Sequence, residues 1–143
     1  LRVKHQTKSA KNIVKYLKQS SKIDRIYYPT DSNFRQKKIA KKQMIDGGSI
    51  ISFELQSLEK NKKKVAFSFL NKLKLIEISN NLGDSKTLVT HPYTTTHNKL
   101  TLDEKFSLRI TKNLVRLSVG LEDSNDIIDD IDNALTKAKE NES

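Results

Sequence analysis

Asn113-Leu114-Val115-Arg116-Leu117-Ser118-Val119-Gly120 alternates without a break. Val115, Leu117 and Val119 fall on one side, and Leu114, Arg116 and Ser118 on the other. That period of two belongs to a strand with one face against a core. Just beyond it the period changes. Ile127, Ile128, Ile131, Ala134 and Leu135 recur at helical spacing and predict a buried-faced helix over about Ser124–Lys139. Glu122, Asp123 and Asp126 crowd its start, and Lys137 and Lys139 its end, the charge order that the helix dipole favours.

The same two periods organise the rest of the chain. Ala10, Ile13, Val14 and Leu17 predict an amphipathic helix over about Thr7–Gln19. Ile23–Tyr28 predicts a strand that Pro29 stops. A short basic helix over about Arg35–Met44 would turn Ile39, Ala40 and Met44 inward before Gly47-Gly48 breaks it. Ser49–Leu55 reads as a strand with Ile51, Phe53 and Leu55 inside and Ser52 and Glu54 outside. Val65, Ala66, Phe69, Leu70 and Leu73 mark a helix over about Lys62–Asn71. Short strands follow at Leu75–Ile78 and Thr87–Val89, then a polar loop from Thr90 to Asn98 and a helical turn at Leu102–Phe106. Short, half-polar strands between helices predict an open sheet with helices on one face, of class α+β or a subdomain of an α/β enzyme.

A chain of 143 residues, 35% hydrophobic and with four glycines and two prolines, suits one folded domain with its own core. No cysteine is present, which excludes disulfides, thiolate metal sites and cysteine nucleophiles. No apolar run is long enough to span a membrane. The start Leu1-Arg2-Val3-Lys4 has neither an initiator Met nor an apolar signal segment. The expectation is a chain that begins inside a longer gene product and resides in the cytoplasm. The net charge of +10 is uneven, with 13 Lys and Arg against 3 acids in residues 1–50 and 6 against 10 in residues 101–143. A basic half attracts anionic partners in general, but nucleic-acid binding also needs a reading element. Aromatics in that half are few, so neither nucleic acid nor a membrane is expected as a partner.

Three features could carry chemistry. A strand arginine cannot be buried cheaply without a partner, so Arg116 pairs with an acid, reaches solvent or binds an anion, its planar fork being suited to a carboxylate. The turn Asn80–Asp84 tolerates left-handed backbone and can expose N–H groups. The run Thr90-His91-Pro92-Tyr93-Thr94-Thr95-Thr96-His97 is rich in hydroxyls and imidazoles, but no acid or third histidine joins the two to make a metal site. No complete catalytic set, phosphate loop or nucleophile elbow is visible.

Taken in order, several stretches resemble the C-terminal part of the Cys/Met-metabolism PLP-dependent family. They are Gly47-Gly48-Ser49-Ile50-Ile51-Ser52-Phe53-Glu54-Leu55, the run from Asn80-Asn81-Leu82-Gly83-Asp84 to Val89-Thr90-His91-Pro92, the triplet end Thr95-Thr96-His97, and Leu114 to Asp123. Asn81-Leu82-Gly83-Asp84 with the Thr triplet is most similar to the sulfhydrylases that use O-succinylhomoserine. The sequence departs from relatives in three places. Phe34-Arg35-Gln36 stands where relatives often have His-Pro-Gln, Thr30 where they often have Gly, and Tyr93 where they have a small residue.

The resemblance implies the C-terminal small domain of a fold-type I PLP-dependent transferase over 1–143, with a short, mainly antiparallel sheet. It implies a substrate α-carboxylate gripped by Arg116, helped by Asn81 and Leu82 and by Thr96, which would orient the arginine. It implies pyridoxal 5'-phosphate bound by an N-terminal domain outside this sequence, since no lysine here matches the Schiff-base motif. The isolated chain is therefore expected to be inactive. The implied activity converts a homoserine ester and sulfide or cysteine, in a tetrameric homo-oligomer, toward methionine synthesis. Relatives with γ-synthase, β- or γ-lyase activity share the domain. The rival expectation is a non-catalytic remnant that associates with a full-length paralogue.

Overall fold

The computed structural model describes residues 1–140, and side chains through Ala138, so the end of the expected domain at 141–143 and the side chain of Lys139 lie outside the described residues. The elements run α1 (Arg2–Gln19), β1 (Ile23–Tyr27), α2 (Lys37–Gln43), β2 (Ile50–Leu55), a 3-10 turn at Glu59–Asn61, α3 (Lys62–Lys72), β3 (Glu77–Ile78), β4 (Leu88–Thr90), α4 (Leu102–Ser107), β5 (Leu114–Ser118) and α5 (Ser124–Glu140). The strands form one sheet in the order β1-β2-β5-β4-β3. Every pairing is antiparallel except β3 with β4. The expected class, α+β with helices on one face of a mainly antiparallel sheet, is what the chain adopts.

The core lies between the sheet and the long helices. Ile51, Phe53 and Leu55 of β2 and Val115 and Leu117 of β5, with Val119 just past it, meet Ile13 and Leu17 of α1, Phe69 of α3, and Ile127, Ile131 and Ala134 of α5. Phe53 and Phe69 meet edge to face at 6.1 Å between ring centres. Alternation puts the other side chains of β2 and β5 on the far face, which no helix of the core cluster covers. That face, not the core, carries the polar residues of the central strands.

The structure corrects several boundaries and faces. Helix α1 starts at Arg2 and not near Thr7, because polar Gln6, Thr7 and Ser9 are themselves buried at its start. There Gln6 donates Nε2 to Asp84 O at 3.0 Å. Strand β1 ends at Tyr27. Tyr28 turns into the core, donates its hydroxyl to Gly48 O at 2.7 Å and has its pKa pushed by burial up to about 12. Gly47 packs on that ring so closely that a β-carbon would meet Tyr28 Cζ at 2.5 Å. In α2 only Ala40 is buried; Ile39 and Met44 stay 53% and 42% exposed, because this short helix lies outside the core cluster. Glu54 is buried on the uncovered face, where Thr111 Oγ1 and the Tyr27 hydroxyl donate to its Oε1 at 3.0 and 3.3 Å. Thr90 belongs to β4 and not to the loop after it. Among the described residues no helix is long and apolar enough to cross a membrane.

Candidate functional site

Arg116 sits mid-strand in β5, the central strand, and therefore between two neighbours. Its Cα partners are Ser52 on β2 and Thr90 on β4, and Tyr27 pairs with Ser52 in turn. Cross-strand partners share a face, so Tyr27, Ser52, Arg116 and Thr90 make a polar row across four strands on the side without helices. The guanidinium is half-buried. Its Nη2 donates to the Asn80 carbonyl at 3.4 Å, and its Nε is buried with no partner. Burial alone lowers its pKa from the ordinary arginine value. Among the described residues the ion pairs join Lys11 to Asp46, Lys18 to Asp31, Lys62 to Glu59 and Lys86 to Glu77, and none reaches Arg116. Of the uses open to a strand arginine, an internal salt bridge is thus not the one adopted.

A loop from the far end of the sheet is brought over this arginine and pinned at both sides. Ser79 N donates to Val89 O at 3.0 Å, and Gly83 N donates to Ser118 Oγ at 3.0 Å. Gly83 holds φ +76, a left-handed turn that glycine allows at little cost. Between the pins, Asn81 and Leu82 are exposed beside the arginine's partner Asn80. Below the loop, Gly120 approaches the backbone so closely that a β-carbon would lie 2.4 Å from Ser85 O. Its N–H donates to Thr87 Oγ1 at 2.9 Å, and Thr87 N and Oγ1 both donate to the Glu122 carboxylate at 3.0 and 2.7 Å.

The threonine loop closes the other side. Thr90 Oγ1 donates to Asn80 Oδ1 at 2.8 Å and lies 2.9 Å from Thr95 Oγ1, which donates to His91 O at 2.7 Å. Thr96, expected beside the arginine, has its hydroxyl 2.8 Å from His97 Nδ1. His91 is buried with both ring nitrogens used: Nε2–H donates to Lys112 O at 2.6 Å, and Nδ1 accepts from Thr94 Oγ1 at 2.8 Å. Desolvation, the main cause, holds its pKa below the ordinary histidine value. It is a brace and not a metal ligand, and among the described residues no His, Asp and Glu group could hold a metal. Buried Lys105 donates to Tyr93 O at 3.1 Å and lies 3.9 Å from the Tyr93 ring centre, fixing the bulky residue that departs from relatives.

Of the four expected residues, Arg116, Asn81 and Leu82 thus lie together, while Thr96 faces its neighbour His97. Sequence reading flagged Asn80, Thr90 and Thr95 only as parts of the turn Asn80–Asp84 and the run Thr90–His97, and gave none of them a role beside Arg116. The signal was the continuation of the β4 alternation to residue 90, which would have put Thr90 opposite Arg116. A cleft of about 460 Å³ runs along the outer strand between Leu17, Arg25, Phe34 and Arg109 and meets the polar row only at its outer end, Tyr27.

The family model described as Cys/Met metabolism PLP-dependent enzyme matches residues 1–136. An O-succinylhomoserine sulfhydrylase of Mycobacterium tuberculosis is 43% identical over 136 residues, covering 95% of this chain and 34% of that enzyme. An L-methionine gamma-lyase of Fusobacterium nucleatum is 43% identical over 137 residues, covering 96% and 34%. The crystal structure of a cystathionine gamma-lyase from Lactobacillus plantarum complexed with L-serine superposes with a TM-score of 0.87 at 31% identity, covering 96% of this chain and 35% of that one. This chain spans about a third of the length of the curated relatives it matches. By the family match and the shared fold together, the chain belongs to the Cys/Met metabolism PLP-dependent enzymes.

Proposed function

We propose that this chain is the C-terminal domain of a PLP-dependent transsulfuration or sulfhydrylation enzyme, similar to O-succinylhomoserine sulfhydrylase, and that it supplies the substrate α-carboxylate site. The observation that carries the reading is Arg116, half-buried on the uncovered sheet face, with an unpaired Nε and no acid partner among the described residues. A buried donor without a partner calls for one, and a guanidinium fork can hold a carboxylate by two parallel charged hydrogen bonds.

The donor set suits the amino-acid end of a substrate and not PLP itself. Gly83 N–H and Asn81 N–H, which could approach a phosphate, are already given to Ser118 and Ser79, which leaves the Arg116 fork, a shape that takes a carboxylate bidentately. Bound by the rest of the enzyme, PLP supplies an electron sink at Cα. This chain's part is positioning. Arg116 would take the carboxylate, the exposed Asn81 amide would add hydrogen bonds, and Leu82 would shield the pair from water. A carboxylate fixed in this way sets the direction of the Cα–H bond, which is catalysis by orientation. The proposed overall reaction replaces the γ-succinyloxy group of O-succinylhomoserine by sulfide, breaking Cγ–O and forming Cγ–S, to give homocysteine and succinate, in a homo-oligomer.

In the full-length enzyme, Arg116→Lys keeps charge but loses the fork, and KM for O-succinylhomoserine should rise roughly 10- to 100-fold, the worth of one charged hydrogen bond. An unchanged KM would remove Arg116 from the site. One observation favours a second reading, elimination from methionine. The Fusobacterium L-methionine gamma-lyase is as similar as the sulfhydrylase. Homocysteine formed from ester and sulfide, against methanethiol released from methionine, separates the two.

A further inference from the structure

We infer that Thr90 is a positioning residue for the carboxylate site, setting Arg116 and the loop above it through the side chain of Asn80. The inference rests on the reading of Arg116 as the carboxylate grip. Thr90 and Arg116 are direct cross-strand partners on the same face. Thr90 is 1% exposed, although its neighbours in the loop beyond, Thr95 and Thr96, are exposed. A buried hydroxyl must find partners, and this one uses Asn80 Oδ1 at 2.8 Å and Thr95 Oγ1 at 2.9 Å. Asn80 in turn offers Arg116 the guanidinium's one hydrogen-bond acceptor among the described residues, its carbonyl oxygen.

The consequence is a fixed acceptor in place of a flexible one. Asn80 is exposed and lies just beyond the Ser79 pin; the Asn81 N–H donated to Ser79 Oγ at 3.3 Å holds the backbone after it, and the bond from Thr90 holds its side chain. The Thr90 hydroxyl is what ties that side chain to the sheet. With the tie in place, the Asn80 carbonyl takes one guanidinium nitrogen and leaves the remaining donors aimed at a single direction. The same tie orders Asn81 and Leu82, the next residues of the chain. One hydroxyl on β4 thereby sets both sides of the carboxylate position, the arginine on β5 and the loop above it. Thr95, bridging from Thr90 to His91 O, couples the threonine loop to the same point.

The test uses Thr90→Val, Thr90→Ser and Arg116→Lys in the full-length enzyme. Two measurements are made on each: steady-state kinetics with O-succinylhomoserine, and the rate at which phenylglyoxal modifies Arg116 in the PLP-free protein, followed by mass spectrometry. Thr90→Val should raise KM about fivefold with kcat within twofold, the effect of one lost neutral hydrogen bond. It should also speed Arg116 modification severalfold, because the guanidinium is released from Asn80. Thr90→Ser, which keeps the hydroxyl, should restore both. If Thr90→Val leaves KM and Arg116 reactivity unchanged while Arg116→Lys raises KM, the positioning role is wrong and the carboxylate site stands. If Arg116→Lys also leaves KM unchanged, the carboxylate reading itself fails. If Thr90→Val lowers the melting temperature and kcat together, and Thr90→Ser rescues neither, Thr90 is only a packing residue and the inference is overturned.

Discussion

Arg116 and Asp130 show what a single residue can and cannot declare. Arg116 stands out in sequence because a charge interrupts an apolar alternation. Asp130 does not, since an acid in an amphipathic helix reads as solvent-facing. Yet it is buried on α5, and its carboxylate accepts from the backbone N–H groups of Lys74, Leu75 and Ile76 at 2.8–2.9 Å. It thereby ties the connection between α3 and β3 to α5. Asp130→Ala should cost roughly 1–3 kcal/mol, since it leaves the buried Ile76 N–H without an acceptor. Chemical denaturation would measure it, and a variant as stable as the parent would show the tie to be dispensable. Gly120→Ala should cost a similar amount, about 1–3 kcal/mol, by forcing the loop at Ser85–Thr87 off the sheet. Both effects depend on partners 33–56 residues away in the chain, a separation that no local pattern reveals.

At the scale of elements, legibility follows burial. The helices α1, α3 and α5 and the strands β2 and β5 were readable because each puts a continuous apolar face into the core, which fixes their period. Helix α2 was readable as a helix but not as to its face, since only Ala40 is buried and Ile39 and Met44 answer to nothing inside this chain. The candidate site was half legible for the same reason. Arg116 and the Asn81-Leu82-Gly83 turn lie on or next to a regular strand, whereas the Thr90–Asn80 link joins two segments by side chains alone. The loop after β4 makes its own prediction. It hangs on neutral His91, whose folded pKa lies below the ordinary 6.5 through burial. A lowered folded pKa means that the stabilisation is complete above about pH 6.5 and is lost as pH falls through the depressed value. The melting temperature should therefore drop more between pH 7.5 and 5.0 for the parent than for His91→Gln. Equal drops would show that His91 does not couple the loop to pH.

For the whole molecule, the governing fact is a sheet with the core helices on one face and the pinned loop of residues 79–83 over part of the other. The covered face is an ordinary core. The other face carries Tyr27, Ser52, Arg116 and the buried Thr90, and beside it Leu82 is 53% exposed. On the function proposed above, this is the face that would meet the cofactor-bearing part of the enzyme. The isolated chain mixed with PLP should accordingly show no protein-bound cofactor absorbance and form no homocysteine from ester and sulfide. Either signal would overturn the division of labour proposed above.

The strand order has a further consequence, for the birth of the protein. The sheet runs β1-β2-β5-β4-β3, so the last strand made fills the central gap between two earlier pairs. Until residues 114–118 leave the ribosome, neither pair has its inner neighbour, and ordering must wait for contacts that span some 60 residues. The strand that completes the sheet is also the strand that carries Arg116. A nascent chain stalled before that point holds two unjoined ribbons with open edges, an invitation to cling to other chains.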